Sequence, residues 1–344
     1  MRSRKVANDA NMTTELDFIQ DYADGKIELG KQWGCPKLDR HWLWKRNFTV
    51  VLGKSGTGKT KLIVYMELAA AIRHNHKVLI YTSENNLAVI KMELIQVLAG
   101  QSIRYNNQRK MSKEDVEHWY NMLLQYAVFL KTDKPYTWGQ LRGVIEHTIE
   151  RDNKIASIIV DPYNSLRIDK SQLGGLTRHD YDLEVLSELE NFSKVKQYRV
   201  VLIIHGTSES ARRIVKDKGS PYFSYEDFPK SGDAEGGSKF KNRSHDFIVL
   251  HRIHDHPTDN NLVFIKVDKV KEKFTGGTET VIDAENFGIV ASWNFMKHRF
   301  YIDGVDIMAD LLKKQEQPID DFRPEITGDF AEPEPVVAES DLPF

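Results

Sequence analysis

Eight consecutive residues, Gly53, Lys54, Ser55, Gly56, Thr57, Gly58, Lys59 and Thr60, fit the phosphate-binding pattern G-x-x-x-x-G-K-[ST]. Its glycines let successive backbone N–H groups turn inward around a β-phosphate, and the helix that follows adds the positive end of its dipole. In such a loop Lys59 neutralises β/γ-phosphate oxygens and the Thr60 hydroxyl ligates Mg2+. The chemistry implied is the binding and cleavage of a nucleoside triphosphate, with ATP as substrate and Mg2+ as cofactor. Three polar residues further along stand at the ends of apolar runs and are candidates to complete that chemistry. Asp161, after Ile158-Ile159-Val160, reads as a Walker B carboxylate at the end of a strand beside the P-loop strand, holding Mg2+ through a water; the competing reading is a helix cap. Glu84, after residues 78–81, is placed to orient and deprotonate the attacking water, or else to cap the next helix. His205, after residues 201–204, is a γ-phosphate sensor or a core histidine.

These residues need a scaffold that brings strand ends to one edge. The β-rich run 48–52 leads into the glycine loop, and Leu62, Ile63, Met66, Ala69 and Ala70 leave it at helical spacing. Further short apolar runs occur at 78–81, 127–130, 155–160, 200–204, 247–250, 262–267 and 281–282. Helix-period stretches separate most of the earlier ones and only loops the last three, which predicts an α/β fold: a mainly parallel sheet flanked by helices and finished by antiparallel strands. Upstream, Leu16, Ile19, Tyr22 and Ala23 predict a short helix ending near Gly25 or Gly30, within an N-terminal arm spanning 1–30. The core domain is expected over 31–312. Residues 315–344 hold nine acidic residues, one basic residue and five prolines, the composition of a disordered acidic tail.

Composition narrows the classes. With 344 residues, 40% of them hydrophobic, the chain suits one large core. A net charge of −2 gives no overall basic character, so any nucleic-acid surface has to be local. The single Cys35 excludes an intrachain disulfide framework and suits a reducing, cytoplasmic setting. No run of 18 or more apolar residues signals a membrane span, and polar sequence follows the basic N-terminus where a signal peptide would be apolar.

The order of motifs resembles a known family. A P-loop, then Thr82-Ser83-Glu84, then Asp161-Pro162-Tyr163-Asn164, then a strand ending in His205 is similar to the RecA-like motor domain of replicative ring helicases, the DnaB group with its Twinkle and phage branch. The stretch 236–246, running into a strand that ends His251-Arg252, resembles that family's segment ahead of a strand ending in H-R, and 267–276 resembles the segment whose finger residues reach a neighbouring subunit's ATP. The resemblance covers about residues 31–295. It implies a homohexameric, ATP-dependent DNA helicase that translocates on single-stranded DNA, in the host cytoplasm if phage-encoded. It also implies a trans finger among Lys269, Lys271 and Lys273, in the register Lys269/Lys271 or Lys271/Lys273, where the family has K-x-R. A lysine lacks arginine's planar fork. By resemblance, single-stranded DNA lies on loops corresponding to 167–178 and 207–243, with Arg178, Arg212, Arg213, Lys239, Lys241 and Arg243 as candidate contacts, interleaved with Tyr222, Phe223, Tyr225, Phe228 and Phe240 for stacking. The N-terminal helix would dock on the adjacent subunit. About 30 residues ahead of the motor leave no room for the family's primase domain. The alternative of another class is a RecA-like recombination mediator or DNA-binding ATPase that does not unwind. Finally, Asp341-Leu342-Pro343-Phe344 resembles the acidic tip by which bacterial single-stranded-DNA-binding proteins recruit other replication proteins.

Overall fold

The computed structural model describes residues 15–26, 29–84, 86–104, 111–130, 135–169, 177–207, 212–283 and 286–313. The acidic tail with its 341–344 tip, the first 14 residues and part of the 167–178 loop lie outside the described residues. Among the described residues, nine strands form one sheet in the order β3-β2-β4-β5-β1-β6-β7-β8-β9. They are β1 (Phe48–Gly53), β2 (Lys77–Thr82), β3 (Ala127–Phe129), β4 (Ile155–Asp161), β5 (Arg199–His205), β6 (Asp246–His251), β7 (Leu262–Val270), β8 (Ile289–Asn294) and β9 (Arg299–Ile302). The first six run parallel, and β7, β8 and β9 continue antiparallel. Residues of β1 and β4 are buried on both faces, which is why they read as unbroken apolar runs and not as alternating ones.

Helices α1 (Glu15–Ala23), α2 (Pro36–His41), α3 (Lys59–His74), α4 (Leu87–Ala99), α5 (Lys113–Tyr126), α6 (Trp138–Arg151), α7 (Arg178–Lys196), α8 (Lys239–Arg243), α9 (Lys273–Gly276) and α10 (Ala309–Lys313) complete the fold. Their start signals are chemical: Ser112 with Asp115, Thr137 with Gln140 and Thr177 with Asp180 each form a reciprocal capping box. Two apolar layers cover the sheet, one built on α3, α4 and α5, the other on α6 and α7. Helix α1 ends where expected, at the Gly25 turn, and leaves Leu16 and Ile19 exposed.

Three expectations about the strands need correction. No strand forms at 281–282; the antiparallel extension is made instead by β8 and β9, whose polar, half-exposed residues gave no apolar run to detect. The 247–250 strand belongs to the parallel set, paired to β1. Asp161 is not on the strand beside the P-loop strand, because β5 lies between β4 and β1.

One buried charge cluster braces the far end of the sheet from the glycine loop. Arg199 and Glu67, 0% and 1% exposed, pair at 2.7 Å. Glu67 also accepts from Trp44 Nε1 at 3.1 Å and Ser157 Oγ at 2.7 Å. Arg199 donates to Lys45 O, Asn47 Oδ1 and Thr49 Oγ1, and its guanidinium lies over Trp33 and Trp42.

Candidate active site

The glycine loop joins β1 to α3 with two geometric demands. A Cβ on Gly53 would stand 2.9 Å from the carbonyl oxygen of Leu250 and 2.9 Å from Lys59 Cδ, so the close approach of β6 excludes a side chain there. Gly58 precedes the first turn of α3 at φ +86°, a left-handed conformation natural to glycine. The loop therefore delivers Lys59 and Thr60 at the start of α3, at the edge where the parallel strands end.

The order of the sheet gathers the other candidates at that edge. Asp161 ends β4, His205 ends β5 and Glu84 lies two residues past β2. With Gly56, Lys59 and Thr60 they line one cleft of about 350 Å3. Thr60 Oγ1 donates to Asp161 Oδ2 at 2.6 Å. Lys59 Nζ donates to the backbone oxygen of Lys54 at 2.7 Å and lies 3.4 Å from His205 Nδ1. His205 Nε2 lies 3.3 Å from Glu84 Oε1, without hydrogen-bond geometry. Neither carboxylate serves as a helix cap: Asn86 caps α4, and a 3-10 turn (Tyr163–Ser165) follows Asp161.

Burial sets the electrostatics. It lowers the Lys59 ammonium to about 8, against the opposing pull of Asp161 and Glu84. It raises Asp161 to about 6, reinforced by Glu84 and opposed by the Thr60 hydrogen bond and Lys59. A pair of perturbed, oppositely charged groups in a cleft is the signature of a site that handles a charged ligand. A buried carboxylate beside a hydroxyl also offers the oxygen ligands that a small hard cation such as Mg2+ prefers.

Comparison with known proteins adds the fold-level finding. No protein-family profile matches the sequence, and neither does any curated protein. Among solved structures, the chain is similar to a helicase-type ATPase domain, with a TM-score of 0.63 and 13% identity over 83% of this chain and 95% of that one. It is also similar to a DnaB-like replicative helicase studied with its primase interactions, with a TM-score of 0.62 and 12% identity over 84% of this chain and 68% of that one. The fold is that of a DnaB-type helicase motor domain. Within this RecA-like fold the cleft at the parallel strand ends lies where an open α/β sheet places its ligand.

The finger candidates lie at the opposite edge. Val270, the last residue of β7, pairs with Asp246, the first of β6, so Lys271 emerges below the strands that carry the glycine loop above. At about 3.3 Å per residue, six residues of strand put roughly 20 Å between the edges. Lys269 is not free to act as a finger in this arrangement: its Nζ donates to the carbonyls of Lys241, Asn242 and Ser244 at 2.7, 3.2 and 2.6 Å, closing the end of α8. Lys271 and Lys273 are more than half exposed, facing Glu190 at 3.6 Å and Glu279 at 2.6 Å.

The DNA candidates divide in a way the sequence did not foretell. Lys239 does not face solvent; its Nζ reaches the buried Asp182 at 2.7 Å, and Asp182 also accepts from Tyr163 and Arg178. Arg213 forms a two-pronged pair with Asp233, and Lys241 pairs with Asp268 at 2.7 Å. Arg212 and Arg243 are exposed. Of the aromatic residues, Tyr222, Phe228 and Phe240 are buried core and Tyr225 is half-buried, which leaves Phe223 as the exposed ring. Sequence reasoning also passed over Asn164, whose Nδ2 donates to Glu235 and whose Oδ1 accepts from the His205 backbone, and Ser165, bonded to Ser83 beside Glu84. Asn164 stood inside a quoted motif, and its position after the Walker B aspartate was the available signal.

Proposed function

We propose that the protein is an ATP-hydrolysing DNA helicase motor that translocates on single-stranded DNA as a homohexameric ring. The observation that carries this reading is the split between edges: Lys59, Thr60, Asp161, Glu84 and His205 share one cleft, while Lys271 and Lys273 lie exposed roughly 20 Å away across the sheet. Lysines so placed reach a γ-phosphate only on another copy of the chain. Gly53 to Thr60 wrap the phosphates and Lys59 neutralises them. Thr60 and Asp161 are the residues that would hold Mg2+, which when bound spreads the charge of the β- and γ-phosphates. Glu84 accepts the proton of the attacking water, and His205, between Lys59 and Glu84, senses the γ-phosphate. Exposed Arg212 and Arg243 are the proposed contacts to the DNA backbone, with Arg178 and Lys241 beside them in ion pairs that phosphates would exchange for. The 341–344 tip is proposed to recruit other replication proteins, and its deletion leaves ATPase activity intact.

Forked-duplex unwinding with ATP tests the reading, alongside mass measurement with ATP and DNA. Unwinding by a closed hexamer supports it. Hydrolysis and filament formation without unwinding would replace it with the recombination-mediator reading.

A further inference from the structure

A second contact with the glycine loop comes from the long segment after β5. Residues 213–227 form a hairpin: Val215 N bonds to Tyr225 O at 2.9 Å, Asp227 N bonds to Arg213 O at 3.0 Å, and Ile214 bridges Glu226. Its apolar side is fixed, because Tyr222 packs on Phe264 and Phe287 near the ends of β6 and β7. Its other side carries exposed Lys216 and Lys218. From this hairpin the Glu226 carboxylate pairs with the ammonium of Lys54, the second residue of the phosphate loop. The Glu226 backbone oxygen meanwhile accepts from His251 Nε2 at 2.9 Å, which fixes the residue on the end of β6. Gly206 lets the Lys54 stem pass, since a Cβ there would lie 3.9 Å from Lys54 Cγ.

We propose that Glu226 is a positioning residue that clasps the hairpin to the phosphate loop through Lys54, and that the triphosphate releases the clasp by competing for the same ammonium. The inference rests on the nucleotide reading of the cleft. The pair is partly exposed, about a fifth to a quarter at each side chain, so its attraction is modest. A triphosphate entering the loop presents several anionic oxygens to the Lys54 ammonium where Glu226 presents one carboxylate. Lys54 also offers its backbone oxygen to Lys59, so the two loop lysines respond to the same anion. The arrangement makes the exposure of the basic hairpin a function of nucleotide occupancy.

The test uses the full chain and Glu226→Gln, with Glu226→Asp as the variant that keeps the charge. Removing the competitor should lower the KM for ATP about three- to fivefold, the range of a partly exposed ion pair, while basal kcat stays within about twofold. Trypsin cleavage at Lys216 and Lys218 should quicken in the wild type when a non-hydrolysable ATP analogue is added. It should be fast with or without the analogue in Glu226→Gln, and nucleotide-dependent again in Glu226→Asp. An unchanged KM, or hairpin cleavage in Glu226→Gln that still requires the analogue, would overturn the clasp. A wild-type chain that binds no analogue would refute the nucleotide site and the clasp together, and absence of binding distinguishes that result from the others.

Discussion

Two clusters of buried charge stand at opposite ends of the same parallel strands, and they are built on different terms. At the lower end Arg199 and Glu67 meet each other at 2.7 Å and are further bonded by Trp44, Ser157, Lys45, Asn47 and Thr49. At the upper end Lys59 has one backbone carbonyl as a firm acceptor, and Asp161 one hydroxyl as a donor. A buried charge whose bonds are all supplied from within the chain braces the fold. A buried charge held by a single neighbour keeps bonding capacity for something that arrives from outside. The contrast shows in proton affinity: Lys59 and Asp161 both move toward neutrality, as burial without full compensation requires.

The largest expected effect is at the upper cluster. Lys59→Ala should lower ATP turnover by about a thousandfold or more, some 4 kcal/mol of barrier, and leave the urea midpoint in place. A collapse of stability there would erase the distinction between the clusters. Arg199→Met should do the reverse, because it strands the Glu67 carboxylate in the core. A loss of about 3–5 kcal/mol in urea unfolding is expected, and a loss below 1 kcal/mol would show that the lower cluster is no brace. Lys271→Ala should reduce turnover about a hundredfold, less than the loss of a full arginine finger. Mixing it with Lys59→Ala protomers should restore part of the activity, since some interfaces then pair an intact cleft with an intact lysine. Failure of mixing to restore activity would place the whole site in one chain.

The smallest effect concerns His76, which stacks on Trp44 at the lower end. Burial lowers its imidazole from 6.5 to about 3, so between those values the unfolded chain binds a proton that the folded chain refuses. Stability should therefore fall as pH drops below 6.5, by up to about 1.4 kcal/mol per pH unit, and level off near 3. In His76→Phe that slope, read from urea midpoints across the window, should flatten.

What could be read from sequence was whatever short-range chemistry dictates. The glycine loop, the strands that end in Asp161 and His205, and the start of α3 are local patterns, and each lies where its pattern put it. The order of strands is not local. That β5 separates β4 from β1 follows from packing among segments far apart in the chain. Lys239 looked like a surface cation because its partner, Asp182, is 57 residues away on α7. Tyr222 and Phe228 looked like stacking platforms in a polar loop because the apolar surface that covers them belongs to β6, β7 and Phe287. Strands β8 and β9 escaped notice for the opposite reason, since an edge hairpin with half its residues in water carries little apolar signal.

The three carbonyls that hold Lys269 bear on timing. They weld the turn carrying Lys271 to the end of α8, and α8 closes the long segment that begins at His205. A shift of that segment is thus passed along a short rigid strut to the far side of the molecule. In a ring, the far side of one subunit is the next subunit's cleft, so a strut of this kind sets the order in which neighbours act.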